Sequence, residues 1–405
     1  MYKNPKLFLL LTIQMLLTAS LYGQTRIWSP YSRYGIGEIS FSRTPFLQSM
    51  GGTSIAYRSE NIINTVNPAS YSATDTMSFV SDFGIVFHPR YASTKNLNQT
   101  SFFASLSHLT FAFPISKKSS VSLGVMPYSN VGYQIEHTDT LPDFGEVMYR
   151  YDGYGGINKI YLGNAWSITS NLSLGVQLNY YFGNITRRRV ALFDTTSFVH
   201  TRLTNTSTVN DINASLGLQY YTKIGKDYTL FVGAIAGTPN ELNVSNTILA
   251  ERLAGRNIDA RAKDTVSFLK NQKGSISMPL SIGGGIGFEK SGRWYFGIDG
   301  EWQNWKQFQN NEIIDSLVDG LRLSLGGFVI PKEKHEANVF RRSKYIFGAH
   351  YYNSYLELKN TSLIKYGISF GIGLPLRKSK TNIQVSFELG TMGTTENNLI
   401  KETYG

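Results

Sequence analysis

The chain has 405 residues, a formal net charge of +11, no cysteine, 38 glycines and only 17% charged residues. Soluble chains usually carry nearer a quarter of their residues charged. Hydrophobic residues nonetheless reach only 41%, which excludes a helical membrane protein with its continuous apolar runs, and the missing cysteine excludes disulfides, thiolate zinc sites and cysteine nucleophiles.

Residues 1–23 read as a secretory signal peptide. Lys3 and Lys6 precede an apolar core of 13 residues, LFLLLTIQMLLTA, and the small residues Ala19, Ser20 and Gly23 follow. That core is too short to span a bilayer as a helix, so cleavage before Gln24 and export are expected. Residues 24–75 do not alternate cleanly and carry turn signals at Gly35, Gly37, Gly51-Gly52 and Asn67-Pro68-Ala69. A free tail would be richer in charge, so this segment is expected as a hatch folded inside a barrel lumen.

From residue 76 onward the pattern has a period of two. Leu172, Leu174, Val176, Leu178, Tyr180 and Phe182 alternate with Ser173, Gly175, Gln177, Asn179 and Gly183, and the same holds around Phe83, Ile212, Ile298, Leu323, Ile368 and Val385. Successive strand side chains point to opposite faces. The second face is small and neutral rather than rich in Lys and Glu, as for a barrel with lipid outside. Short turns at 117–120, 169–171, 223–227, 289–293 and 377–381, with a longer basic one at 332–344, separate longer connectors at 91–101, 136–146, 186–210, 239–273, 307–318 and 353–361. Short and long connections alternating in this way predict an all-β fold, a transmembrane antiparallel β-barrel over 76–405, in the bacterial outer membrane with short turns in the periplasm.

Thirteen strands are expected between residues 76 and 392, and even parity makes the count fourteen. Only residues 398–405 remain for the closing strand, eight where a tilted span needs about 9–11. The last strand is therefore expected to be incomplete, with roughly ten further residues needed to finish it. The turn segments hold the chain's excess of basic over acidic residues, including Lys117, Lys118, Lys290 and Lys378. That rim suits anionic phospholipid head groups, and bases at the turn tips of an exported barrel do not point to nucleic acid.

Few residues suggest chemistry. Gly367-Ile368-Ser369-Phe370-Gly371 has the spacing of a nucleophile elbow, but that motif needs a strand-to-helix turn and Ser369 falls mid-strand. The histidines are scattered without metal spacing, so neither an enzyme nor a metal or other cofactor is expected. Arg187-Arg188-Arg189 stands where a strand would leave the membrane and is a candidate surface contact for lipopolysaccharide phosphates or another anion; a solvated hairpin is the plainer alternative. Asp299 and Glu301, flanked by Trp302 and Trp305, are candidate lumen or hatch contacts.

The chain resembles the FadL/TodX-type outer-membrane transporters of hydrophobic compounds, in the version common in Bacteroidetes. The residues that carry the resemblance are Gly51, Gly52 and Asn67-Pro68-Ala69 in the hatch region, and Pro127-Tyr128-Ser129 after the third strand. Met278-Pro279-Leu280-Ser281-Ile282-Gly283, the strand around Trp294 to Trp302, and Gly371-Ile372-Gly373-Leu374-Pro375 complete it. The resemblance implies a fourteen-stranded barrel plugged by its N-terminal hatch. Its implied activity is passive uptake of small hydrophobic molecules, such as fatty acids or aromatic hydrocarbons. The family's ligand-contacting residues have no identified counterpart here, so the solute does not carry over. An alternative is a non-transporting accessory subunit of an outer-membrane machine, in barrel assembly or type IX secretion, with envelope proteins as partners.

Overall fold

The computed structural model describes residues 29–41, 43–194, 198–308, 317–331, 338–376 and 381–405. The signal segment and parts of the turns at 332–344 and 377–381 lie outside the described residues. A two-residue strand, β1 (Glu38–Ile39), precedes β2 (Val80–Ser93), β3 (Asn98–Ser116), β4 (Ser119–Leu141), β5 (Gly145–Ser167), β6 (Leu172–Phe193), β7 (Thr201–Ile224) and β8 (Tyr228–Gly237). Then follow β9 (Asn240–Leu253), β10 (Ala262–Met278), β11 (Ser281–Lys290), β12 (Trp294–Gln303) and β13 (Gly320–Val329). The chain ends with β14 (Lys344–Leu358), β15 (Thr361–Pro375), β16 (Asn382–Met392) and β17 (Lys401–Tyr404).

Fourteen of these strands close a ring of antiparallel neighbours. It runs from β2 to β8, crosses to β11, continues to β17 and returns to β2. A hydrocarbon environment demands paired backbone, and the ring supplies it except beside the short β17, where the facing edges of β2 over 80–89 and of β16 over 382–389 have no strand partner among the described residues. The outward positions are those the alternation singles out: Phe83 is 61% exposed, Ile298 61%, Leu325 54%, Phe387 67% and Leu389 59%. A belt of this kind on every side of a monomer belongs against acyl chains rather than water. Closure is thinnest at β17, which pairs with β16 from Gly390 to Met392 and with β2 from Arg90 to Ser93.

One expectation needs correction. Residues 239–273 are not a loop. β9 continues the line of β8 and pairs with the far half of β7, and β10 comes back along β9 before continuing into β11. The connectors expected at 136–146 and 186–210 are likewise mostly strand. The sequence hid this because charged and polar residues interrupt the apolar alternation along these stretches, although their inner face still buries Val190, Val209, Leu242 and Val244. β4 to β10 therefore form a raised wall over half of the ring, at the end that carries the long connectors.

A row of irregularities marks where barrel becomes wall. β4 shifts register at Pro127 to Ser129, opposite Asn158 and Ile157 of β5, and Ile157 and the neighbouring Gly156 in turn face Gly183 and Asn184 of β6. On the same line Thr238-Pro239 separates β8 from β9, and Pro279-Leu280 separates β10 from β11. Proline cannot donate to a ladder. Gly155 sits at φ +110°, a backbone conformation that side-chain-bearing residues rarely adopt.

Candidate functional site

Residues 29–75 pack against the inward face of strands all round the ring. Each of its three short helical pieces, Pro30–Arg33, Pro45–Ser49 and Pro68–Ala73, opens on a proline, whose fixed φ suits a first helical turn and whose missing N–H costs nothing there. Asn67 caps the last of them: its Oδ1 accepts from the Ala69 N–H at 3.0 Å. Its Nδ2 donates to the Ile55 carbonyl at 2.7 Å and to the Leu218 carbonyl of β7 at 3.2 Å.

The small inward face of the barrel turns out to be a seat. A Cβ added at Gly175 or Gly217 would collide with Asn67, Pro68 and Ala69, one at Gly233 with Ile55, one at Gly326 with Met50, and one at Gly348 with Met50 and Gly51. Glycines on successive strands thus let the segment's backbone lie directly on the wall. Gly51 itself has φ +66° and abuts the Ala349 backbone, so the position tolerates only glycine on both counts.

Charged groups fix the segment at mid-height. Asp299 is 1% exposed, and its Oδ2 accepts from the backbone N–H of Ser54 at 2.5 Å and of Ile55 at 2.7 Å. Glu301 forms an ion pair with Arg43, which also donates to the Gly52 carbonyl at 2.8 Å. Arg322 donates to the Gly51 carbonyl at 3.1 Å. Ser369, the residue at the centre of the Gly-x-Ser-x-Gly spacing, accepts from the Gly51 N–H and donates to the Ser49 carbonyl, both at 2.9 Å. Its hydroxyl holds backbone in place. At the thin closure, Arg90 of β2 bridges Glu38 at 2.9 Å and Glu402 of β17 at 2.6 Å, Lys365 reaches Glu38 at 3.1 Å, and Ser29 donates to Glu402 at 2.6 Å. Burial works against ionising Glu38, but Arg90 and Lys365 outweigh it and hold its carboxyl far below the ordinary range.

Above this polar layer lies an apolar cap. Tyr31, Ile36 and Ile39 of the segment meet Val131, Ile185, Leu242 and Ile276 from the wall and Trp305, Leu317 and Tyr355 from the opposite half. Trp305 is fully buried and stacks on Tyr355 with ring centroids 4.6 Å apart. A second cluster below packs Phe46, Leu47, Met50 and Tyr57 against Phe231, Tyr295, Phe328 and Ile346. Between the segment and the edges of β2 and β16 remains a cavity of about 1220 Å³, lined by Phe41 and Phe46, by Arg43, Arg322 and Lys344, and by Glu38, Asp82 and Glu388.

The sequence-selected residues divide. Gly51, Gly52, Asn67, Pro68, Ala69, Asp299 and Glu301 converge on the segment and its seat. Arg187-Arg188-Arg189 does not act as a unit. Arg187 is buried and donates to the Gly35 carbonyl at 2.8 Å, Arg188 bridges Asp152 at 2.9 Å and Asp259 at 3.2 Å, and Arg189 alone is exposed. Reading by sequence missed Arg43, Arg90, Arg322, Glu38 and Glu402. A usable signal existed for three of them: a lone charge in a membrane strand must point inward and find a partner.

The family model described as BamG matches residues 1–405. The chain belongs to the BamG family. Its fold is also that of several solved structures. The monoaromatic hydrocarbon channel CymD is 15% identical with a TM-score of 0.57, over 91% of this chain and 96% of that one. A Pseudomonas aeruginosa FadL homologue is 10% identical, with a TM-score of 0.56 over 89% and 96%. The P. putida toluene transporter TodX is 14% identical, with a TM-score of 0.56 over 90% and 96%. Identities this low speak for the fold, on which many functions can be built. No curated protein matches the chain by sequence.

Proposed function

We propose that this chain is a non-transporting accessory barrel of an outer-membrane barrel-assembly machine. The observation that carries the reading is the apolar cap, in which residues from both halves of the ring meet Tyr31, Ile36 and Ile39 across the lumen. Opening it would expose side chains each worth about 1.5–3 kcal/mol in burial, so the lumen is built as a core rather than a path. The name of the BamG family points the same way. In this reading residues 1–23 direct export and 24–75 are a fixed hatch. The wall stands on the cell surface among lipopolysaccharide, and the basic turns meet periplasmic phospholipid.

The test is recovery of the tagged chain from native membranes in mild detergent. A stoichiometric complex containing other envelope proteins is expected, and a chain that purifies alone overturns the reading.

A second reading, passive uptake of a small hydrophobic solute, is favoured by the cavity beside β2 and β16. Phe41 and Phe46 border it beside Arg43, Arg322 and Lys344 and the carboxylates Glu38, Asp82 and Glu388, a mixed lining with room for a small amphipathic solute. Vesicles containing the purified chain decide it. Flux of fatty acid or toluene above protein-free vesicles supports transport, and flux that rises only when residues 24–75 are deleted identifies the segment as the barrier.

A further inference from the structure

The raised wall has two free edges among the described residues: β4 beyond Val125, whose β3 side meets only β1 at Ser129 and Asn130, and β10. β10 pairs with β9 on one side from Ala262 to Met278. Its other side has no strand beside it among the described residues, because β12 begins to pair with this line only at Ser281, across from Gln303. All twelve residues from Ala262 to Lys273 are exposed. They present a free edge about 40 Å long at roughly 3.4 Å per residue, broken by register shifts against β9 at Ala262/Asp264, Thr265/Ser267 and Leu269/Gln272, so that its straight run for an incoming strand is around Val266 to Leu269. Val266 is 58% exposed, Phe268 56% and Leu269 47%.

The charges of this edge are mostly basic. Its one acid, Asp264, is taken by Arg252 at 3.4 Å, and other bases of the wall are matched too, Arg202 with Glu251 at 2.9 Å and Arg256 with Asp194 at 2.6 Å. Arg261, Lys263, Lys270 and Lys273 make no ion pair among the described residues. Edge lysines are a common guard against indiscriminate pairing, and here they also select. A second copy pairing antiparallel at this edge would bring lysines together, whereas an acidic strand would be drawn in.

We infer that the outer edge of β10 receives an extended, acidic segment of a partner protein, which joins the wall as an added strand. Backbone hydrogen bonds supply the affinity, Val266 and Phe268 offer the incoming strand its apolar contacts, and Lys263, Lys270 and Lys273 set its charge. A lipid phosphate would satisfy the lysines but leave the backbone row and Phe268 unmatched. The inference rests on the reading of this chain as a subunit of an envelope assembly. It adds where a partner docks and by what chemistry.

The experiment uses the full chain in its own membrane. A photo-reactive amino acid replaces Phe268, and as a control Leu323, which faces outward from β13. Irradiation is expected to join the Phe268 position to a protein through a peptide of net negative charge, with no such product from Leu323. In parallel, the triple variant Lys263→Glu, Lys270→Glu and Lys273→Glu should recover at least tenfold less of that partner, while its heat-modifiable migration shows the barrel intact. Cross-linking only to lipopolysaccharide, to a second copy or to a basic peptide overturns the inference. So does undiminished partner recovery by the triple variant, and in that case the native complex still stands and so does the accessory reading. If the unmodified chain purifies alone, both fall.

Discussion

From β4 to β7 the strands run 22 to 24 residues, whereas β11, β12 and β13 stop at ten. The two halves of the ring are held differently. Above the row of irregularities the raised wall carries its own support. Val190, Leu192 and Leu253 form a small cluster near its top, Arg150 pairs with Glu136, Arg188 with Asp152 and Arg202 with Glu251 on adjoining strands, and Arg188 also reaches Asp259 in the loop beyond. The low half has little such support among the described residues. Its inward faces at β12 to β15 are completed by residues 43–55, through Asp299, Glu301, Arg322, Gly348 and Ser369. Damage to the wall should therefore stay local, while damage to the seat should reach the whole barrel.

The largest expected effect is at Gly348. A valine there meets backbone atoms of Met50 and Gly51, which no side-chain motion relieves. A loss of about 3 kcal/mol or more is expected, seen as reduced heat-modifiable barrel and protease access to residues 43–55. Gly255, in the wall's loop, has nothing near its Cβ position. Gly255→Ala should stay within about 0.5 kcal/mol. Equal effects at the two sites would erase the contrast between the halves.

Asp299→Ala comes next. It strips the acceptor from two buried N–H groups, those of Ser54 and Ile55, at an expected cost of about 2–4 kcal/mol. Asp299→Asn keeps one acceptor and should lose less. Urea unfolding in detergent measures both, and an unchanged midpoint for the alanine variant would show that the segment is not anchored there.

Glu38 sharpens the comparison through pH. Its folded pKa is depressed, so its contribution is complete above the unfolded value of about 4.5 and declines as pH falls below it toward the folded value. The acid-side fall in stability should be shallower in Glu38→Gln, and the two unfolding curves should differ in slope between pH 5 and 3, a window that follows from linkage. Parallel curves would mean that Arg90 and Lys365 do not hold this carboxylate in the folded chain.

Arg188→Ala is the smallest. Its partners Asp152 and Asp259 are 9% and 77% exposed at the side chain, and ion pairs of this kind rarely exceed about 1 kcal/mol. Faster proteolysis within residues 254–261 with an unchanged global midpoint is expected. A fall in the global midpoint would show that the wall and barrel unfold as one unit.

Much of the barrel could be read before any coordinates. Phe83, Leu174, Leu323 and Ile368 sit on a lipid-facing side because each alternates with a small residue, and that period locates the fourteen strands. The same reasoning misjudged the stretch from Pro239 to Lys273. Lys263, Asp264, Lys270 and Lys273 break the period, since a strand bathed in water on both faces has no reason to alternate. The seat was half legible. Gly51-Gly52 and Asn67-Pro68-Ala69 announce tight turns, but Gly175, Gly217 and Gly348 look like any small inward residue until the segment is laid on them. Glu38, Arg90, Lys365 and Glu402 meet only through closure, which no local window contains.

The pairing of Ser29 with Glu402 spans 373 positions of sequence. A chain made from its N-terminus holds Ser29 long before Glu402 exists, and the Arg90 bridge to Glu402 waits equally. Contacts of such separation form late, because the entropy of the intervening loop is lost before they contribute. Residues 29–75 are thus among the earliest parts made and among the last to settle, and β17 arrives at a ring whose interior is still being arranged. Seating the segment and closing the cylinder become one event in time, and a chain stalled short of it would show the membrane both an open side and an empty middle.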